Sequence, residues 1–114
     1  MKGIRYTIFD KKKNYKCGFL SCLEEYFDID KVFELGWIFE DKLKHPNNMD
    51  MSDTVSYFTE KGNRAFHKII KKCQIEYEKL GVEFNREVKE LSDEDILYKD
   101  EYQIICLGDY ACVA

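Results

Sequence analysis

The chain has 114 residues, a formal net charge of −4, and 45% apolar, 35% charged and 15% aromatic residues. That length fits a single domain, 1–114, able to bury one real core, and the aromatic content excludes a disordered chain. The modest acidic balance excludes a global nucleic-acid footprint.

No apolar run approaches the ~20 residues that span a bilayer, so no membrane partner is expected. The N-terminus reads directly as a strand with no signal-peptide pattern, which points to a cytoplasmic protein whose five cysteines stay reduced. Lysine outnumbers arginine fifteen to three, and residues with A/T-rich codons dominate, which suggests an AT-rich genome such as a low-GC bacterium, its phage or a plasmid.

Residues 4–9 alternate Ile4, Tyr6 and Ile8 with Arg5, Thr7 and Phe9, a strand pattern. A polar turn at 10–14 lets residues 15–20 return as the second arm of a hairpin, with Tyr15, Cys17 and Phe19 inward. Ser21 and Glu24 form a capping-box pattern ahead of a short helix. Asp30 is the expected cap of a second helical piece over 31–44, with Val32, Leu35, Phe39 and Leu43 on one stripe and Phe33 and Trp37 beside it. So broadly apolar a helix is expected to be covered on more than one side. His45-Pro46-Asn47-Asn48 ends it, and a loop follows over 49–53.

A strand over 54–58 runs into the clearest element in the chain. Thr59 is its expected N-cap and Gly81 its stop. Phe66, Ile69, Ile70, Cys73, Tyr77 and Leu80 recur at helical spacing, which predicts one amphipathic helix over 60–80. The strand after it, over 82–88, has Arg86 among the inward positions, which implies an edge location or a bulge. Ser92-Asp93-Glu94-Asp95 reads as a short cap-like turn, and 102–107 as a strand. Gly108-Asp109 suits a tight turn, with 110–113 pairing back. Strands at both ends around two helical regions predict an α+β fold: a two-layer sandwich, mostly antiparallel sheet, with both helical regions packed on one face.

Five constellations could carry chemistry. Segment 60–80 carries a charge of +3 in a chain of −4, with Arg64, Lys68, Lys71 and Lys72 on its solvent side and Asn63 and His67 beside them. These cations crowd the end of the helix that its dipole makes unfavourable for them. They suit a phosphate or an acidic protein surface; the plain alternative is a solvated face whose acids come from elsewhere in the fold. Acidic residues form the counterpart, above all Asp93, Glu94 and Asp95, and with Tyr98 and Tyr102 they make a second candidate contact surface. A paired-carboxylate glycosidase would need two acids across a cleft, which the sequence does not reveal.

The cysteines lack the C-x2-C spacing of structural zinc, although Cys17, Cys22, Cys106 and Cys112 would form a four-thiolate site if the hairpin ends met. Core burial is the simpler role for them. His67 and Cys73 lie on different sides of one helix and form no dyad.

No family resemblance and no cofactor is indicated. The leading expectation is a small cytosolic non-enzymatic binding protein that acts through protein–protein contacts. Arg64, Lys68, Lys71 and Lys72 are its candidate contacts on one side, and Asp93, Glu94, Asp95, Tyr98 and Tyr102 on the other. The genomic profile associates it with phage or mobile-element inhibitors of a host defence factor, such as a nuclease or nucleoprotein complex. The second expectation is a nucleic-acid- or nucleotide-binding domain using the basic face of helix 60–80; the third is a thiol- or metal-dependent enzyme. Edge strands at 4–9 or 110–113 could also build a homodimer.

Overall fold

The computed structural model describes residues 1–44 and 54–108. Strand β1 (Lys2–Asp10) lies inside the sheet, flanked along its length by β4 (Glu83–Glu90). On its other side β2 (Tyr15–Gly18) pairs with Thr7 to Asp10, and β3 (Thr54–Phe58) joins through Ile4 and Phe58. Beyond β3 come β6 (Gln103–Leu107) and then β5 (Ile96–Lys99). Among the described residues every pairing is antiparallel and the α-helices lie against one face, so the expected two-layer α+β sandwich is the observed fold.

The hairpin turn at Lys11–Asn14 has local chemical causes. Asn14 takes a positive φ of 49°, which an Asn side chain tolerates. Asp10 Oδ1 accepts from the Lys12 N–H at 3.0 Å, and Asp10 Oδ2 accepts from the Tyr26 hydroxyl at 2.8 Å. That hydroxyl, with the backbone donors, holds the Asp10 carboxyl below the usual carboxylate range.

Helix α1 (Leu23–Tyr26) starts from Cys22, and the expected Ser21 cap does not form a side-chain bond to it. Helix α2 (Ile29–Lys42) starts two residues earlier than expected, because Asp28 rather than Asp30 accepts from the Lys31 N–H, at 2.9 Å. Leu35 and Phe39 turn its inner stripe into the core.

The helix expected over 60–80 is two helices, α3 (Glu60–Ala65) and α4 (His67–Lys79), broken at Phe66. Thr59 caps α3 as expected, accepting from Gly62 N–H at 2.9 Å. The same residue pins α3 to the β5–β6 turn, its N–H donating to Tyr102 O at 3.0 Å. Gly62 presses on that carbonyl so closely that a Cβ there would lie 2.0 Å from the oxygen. With α3 held at its start, the break lets Phe66 enter the core among Phe39, Phe58 and Tyr102. Gly81 ends α4 with φ +77°, a conformation that favours glycine.

The main core fills the space between sheet and helices: Ile4, Tyr6, Ile8, Phe19, Leu35, Phe39, Phe58, Phe66, Ile70, Cys73 and Tyr77. Tyr77 is fully buried, and its hydroxyl donates to Phe19 O at 2.6 Å, so the burial leaves no unpaired donor. A second, smaller core lies on the opposite face, where Val55, Tyr57, Leu91, Ile104 and Cys106 pack with Ile96 beneath the connection from β4 to β5. A bulge between Ile96 and Tyr98 puts Ile96 opposite Cys106 and Tyr98 opposite Ile105. The loop expected at 45–53 and the return strand at 110–113 lie outside the described residues.

Candidate interaction surfaces

The structure sorts the basic face of α3 and α4 into two groups. Arg64, Lys68, Lys71 and Lys72 are all exposed. Lys72, however, donates to Glu34 of α2 at 2.7 Å, and Lys61 pairs with Glu101. Lys31 reaches the same Glu34 at 2.9 Å, and the two ammonium groups hold the Glu34 carboxyl at a pKa of about 2. For these cations the acids do come from elsewhere in the fold. Arg64, Lys68 and Lys71 have no carboxylate partner among the described residues.

Lys71 also lines a groove of about 340 Å³ between the helices and β4. One wall carries Asn63, His67, Lys71 and Gln74, which fall on one side of the α3–α4 rod; the other carries Tyr6, Phe84 and Arg86. Arg86 is placed there by the pairing of Tyr6 with Arg86, which puts it on the helix-facing side of β4. It is exposed because β4 is a sheet edge among the described residues, one of the two arrangements, edge or bulge, that its sequence pattern implied.

The acidic and aromatic candidates lie elsewhere. Asp93–Asp95 is an exposed 3₁₀ turn in the connection over the face opposite the helices. Tyr98 and Tyr102 are half-buried at the β5–β6 turn. The Tyr98 hydroxyl donates to Asp100 Oδ2 at 2.7 Å, while Asp100 Oδ1 accepts from the Tyr102 and Gln103 N–H groups. The Tyr102 ring packs edge-on to Phe66 and lies 5.7 Å from Lys61 Nζ. Tyr98 therefore braces the turn, and Tyr102 braces both the turn and α3. The basic and acidic sets remain on separate faces.

The outer face of α2 holds what the sequence reading missed. Ile29 is 84% exposed, Phe33 71% and Trp37 48%. They follow one another at intervals of four residues and form an apolar stripe roughly 12 Å long. The helix was expected to be covered on more than one side. Instead it is anchored on one side, by buried Leu35 and Phe39 with Val32 and Ile38 packed beside them, and its outward stripe meets solvent. Asp30, Glu40 and Asp41, all exposed, border it. Its signal in the sequence was the spacing 29–33–37, offset from the Leu35–Phe39 stripe.

No family model, curated protein or solved structure gives a significant match to this chain.

The thiols are placed for packing. Cys17, Cys22, Cys73 and Cys106 are buried, and burial pushes the Cys73 thiol up to about 12 and raises Cys106 as well. Cys106 belongs to the core across the sheet from Cys17 and Cys22, and Cys112 lies outside the described residues. Among the described residues no three His, Cys, Asp or Glu side chains are grouped to hold a metal. No helix there is long and apolar enough to cross a membrane.

Proposed function

We propose that the protein is a non-enzymatic binding module that holds a partner protein on the outer face of α2. The observation that carries this reading is the exposed stripe of Ile29, Phe33 and Trp37. Single exposed apolar residues are ordinary, but three large ones aligned on one helix face are an unmet contact surface. Trp is among the residues that most often dominate binding energy, and full burial of such side chains contributes roughly 1.5–3 kcal/mol each.

The stripe is separable from folding, because α2 is fixed by its opposite side. Charge selects the partner's chemistry. Helix α2 carries Asp30, Glu34, Glu40 and Asp41 against Lys31 and Lys42. The complementary surface is an apolar patch rimmed by lysine or arginine, with the rim steering the approach. The fold offers no feature that selects a defence nuclease among such partners.

The test compares wild type with a Phe33→Ser/Trp37→Ser variant and a Lys68→Glu variant in partner capture, with far-UV circular dichroism as the folding control. The proposal expects a partner lost by the first variant and kept by the second. Equal capture by the Phe33/Trp37 variant would remove the stripe as the binding surface. Light scattering on the purified chain separates a second copy from a different protein: a dimer that the Phe33/Trp37 variant abolishes would make the partner the protein itself.

A further inference from the structure

The groove between α4 and β4 shares no lining residue with the apolar stripe of α2. Its lining includes Lys71, Arg86 and His67 and no carboxylate, in a chain whose net charge is −4. Lys2, Lys11, Lys16, Lys31, Lys61 and Lys72 all have acidic partners. Lys71 and Arg86 have none among the described residues, yet the fold brings them from two different elements to one cavity. Two cations set around one cavity repel each other, and a bound anion converts that repulsion into attraction.

The neutral groups agree with an anionic ligand. Asn63 Oδ1 accepts from the Tyr6 hydroxyl, which orients the amide and leaves its N–H donors to offer. Gln74 adds a second amide on the same wall. The other wall is aromatic: Tyr6 and Phe84 stack with centroids 5.7 Å apart and planes 28° from parallel, and Phe84 is only half-buried. A volume of about 340 Å³ is at the small end of ligand pockets. It suits one nucleotide and not a length of polymer.

We propose that this groove binds a mononucleotide-sized phosphate ester. The Arg86 guanidinium and Lys71 ammonium take the phosphate oxygens, the planar fork of arginine suiting two of them at once. His67 and the Asn63 amide supply further donors, and the base lies along the wall that Tyr6 and Phe84 form.

The experiment is titration of the whole chain, followed by amide and side-chain NMR shifts. The probes are the four nucleoside 5′-monophosphates, adenosine, inorganic phosphate and a single-stranded oligothymidylate. The expected result is saturable binding of at least one monophosphate, weakened about tenfold or more in Arg86→Gln and in Lys71→Gln. Binding should be unchanged in Lys68→Gln, which lies outside the groove. Adenosine should bind at least tenfold more weakly than its monophosphate, and affinity should fall as salt rises. Lys71 and Arg86 are exposed, so the variants should keep the wild-type circular dichroism spectrum and Tm. No saturable shift with any monophosphate, equal binding by Arg86→Gln, or binding of the oligonucleotide alone would each overturn the proposal.

Discussion

Lys72 Nζ lies 2.7 Å from Glu34 Oε1, an ion pair that ties α4 to α2. It removes one cation from the basic face and spends it on positioning the helix that carries the apolar stripe. Lys31 shares the same carboxylate and also reaches Glu76 at 3.5 Å, so the α2–α4 seam is a small network of charges.

That network sets an acid limit. The Glu34 carboxyl is held at about 2 in the folded chain, against an ordinary value of 4.5. A depressed folded pKa contributes stability that is present above the unfolded value and is lost as pH falls through the folded one. Thermal stability should therefore fall more steeply between pH 4.5 and about 2 in wild type than in Glu34→Gln. The group is solvent-exposed, so the difference should shrink at high salt. Parallel pH profiles for the two proteins would show that the seam does not titrate.

Gly62→Ala separates packing from helix propensity. In an ordinary exposed helix this change stabilises by roughly 1 kcal/mol. Here the added Cβ would sit 2.0 Å from the Tyr102 carbonyl oxygen. Relieving that contact means lifting α3 off the β5–β6 turn, and we expect a loss of about 2 kcal/mol or more in denaturant unfolding. A neutral or stabilising result would mean that α3 does not lie so close to the turn.

Thr7 offers a change in the other direction. Its side chain is fully buried, and Oγ1 is the one buried side-chain polar atom without a hydrogen-bond partner among the described residues. Replacing it by Val removes a desolvated hydroxyl at nearly constant shape. Thr7→Val should stabilise by about 1 kcal/mol, read as a higher urea midpoint at unchanged m-value.

The Cys73 thiol should be inert in the native state. Burial pushes Cys73 up to about 12 from an ordinary 9.0. A raised folded pKa gives stability that is present below the unfolded value and lost as pH rises through the folded one. Native protein at pH 8 should therefore resist iodoacetamide at Cys73, and the thiol should react quickly in urea. Stability should fall between about pH 9 and 12, and less so in Cys73→Ala. Rapid native labelling of Cys73 would return the thiol to consideration as a reactive group.

What could be read from the sequence was what local chemistry decides. Thr59 caps and Gly81 stops because a hydroxyl acceptor and a positive φ are needed at those positions, whatever surrounds them. Arg86 announced an edge strand or a bulge because a cation on an inward position needs an open side, and the edge is what β4 takes among the described residues. The misses were decided by tertiary contact. Asp28 and Asp30 are equivalent cap residues until packing sets where α2 begins. Nothing in segment 60–80 marks Phe66 as a break; the break falls where its ring packs among Phe39, Phe58 and Tyr102. Phe33 and Trp37 looked like core residues because apolarity alone does not say which face a neighbour covers. The groove was invisible for the same reason: Lys71 and Arg86 meet only once β4 pairs with β1.

The α2 face can be tested without knowing its partner in advance. A photo-crosslinking amino acid placed at Phe33 is irradiated in the living host, beside the same group at the exposed control position Lys12. The account predicts a discrete adduct with one other protein from position 33, none from position 12, and loss of the adduct when Trp37→Ser is added. No adduct at position 33, or the same adducts from both positions, would contradict it.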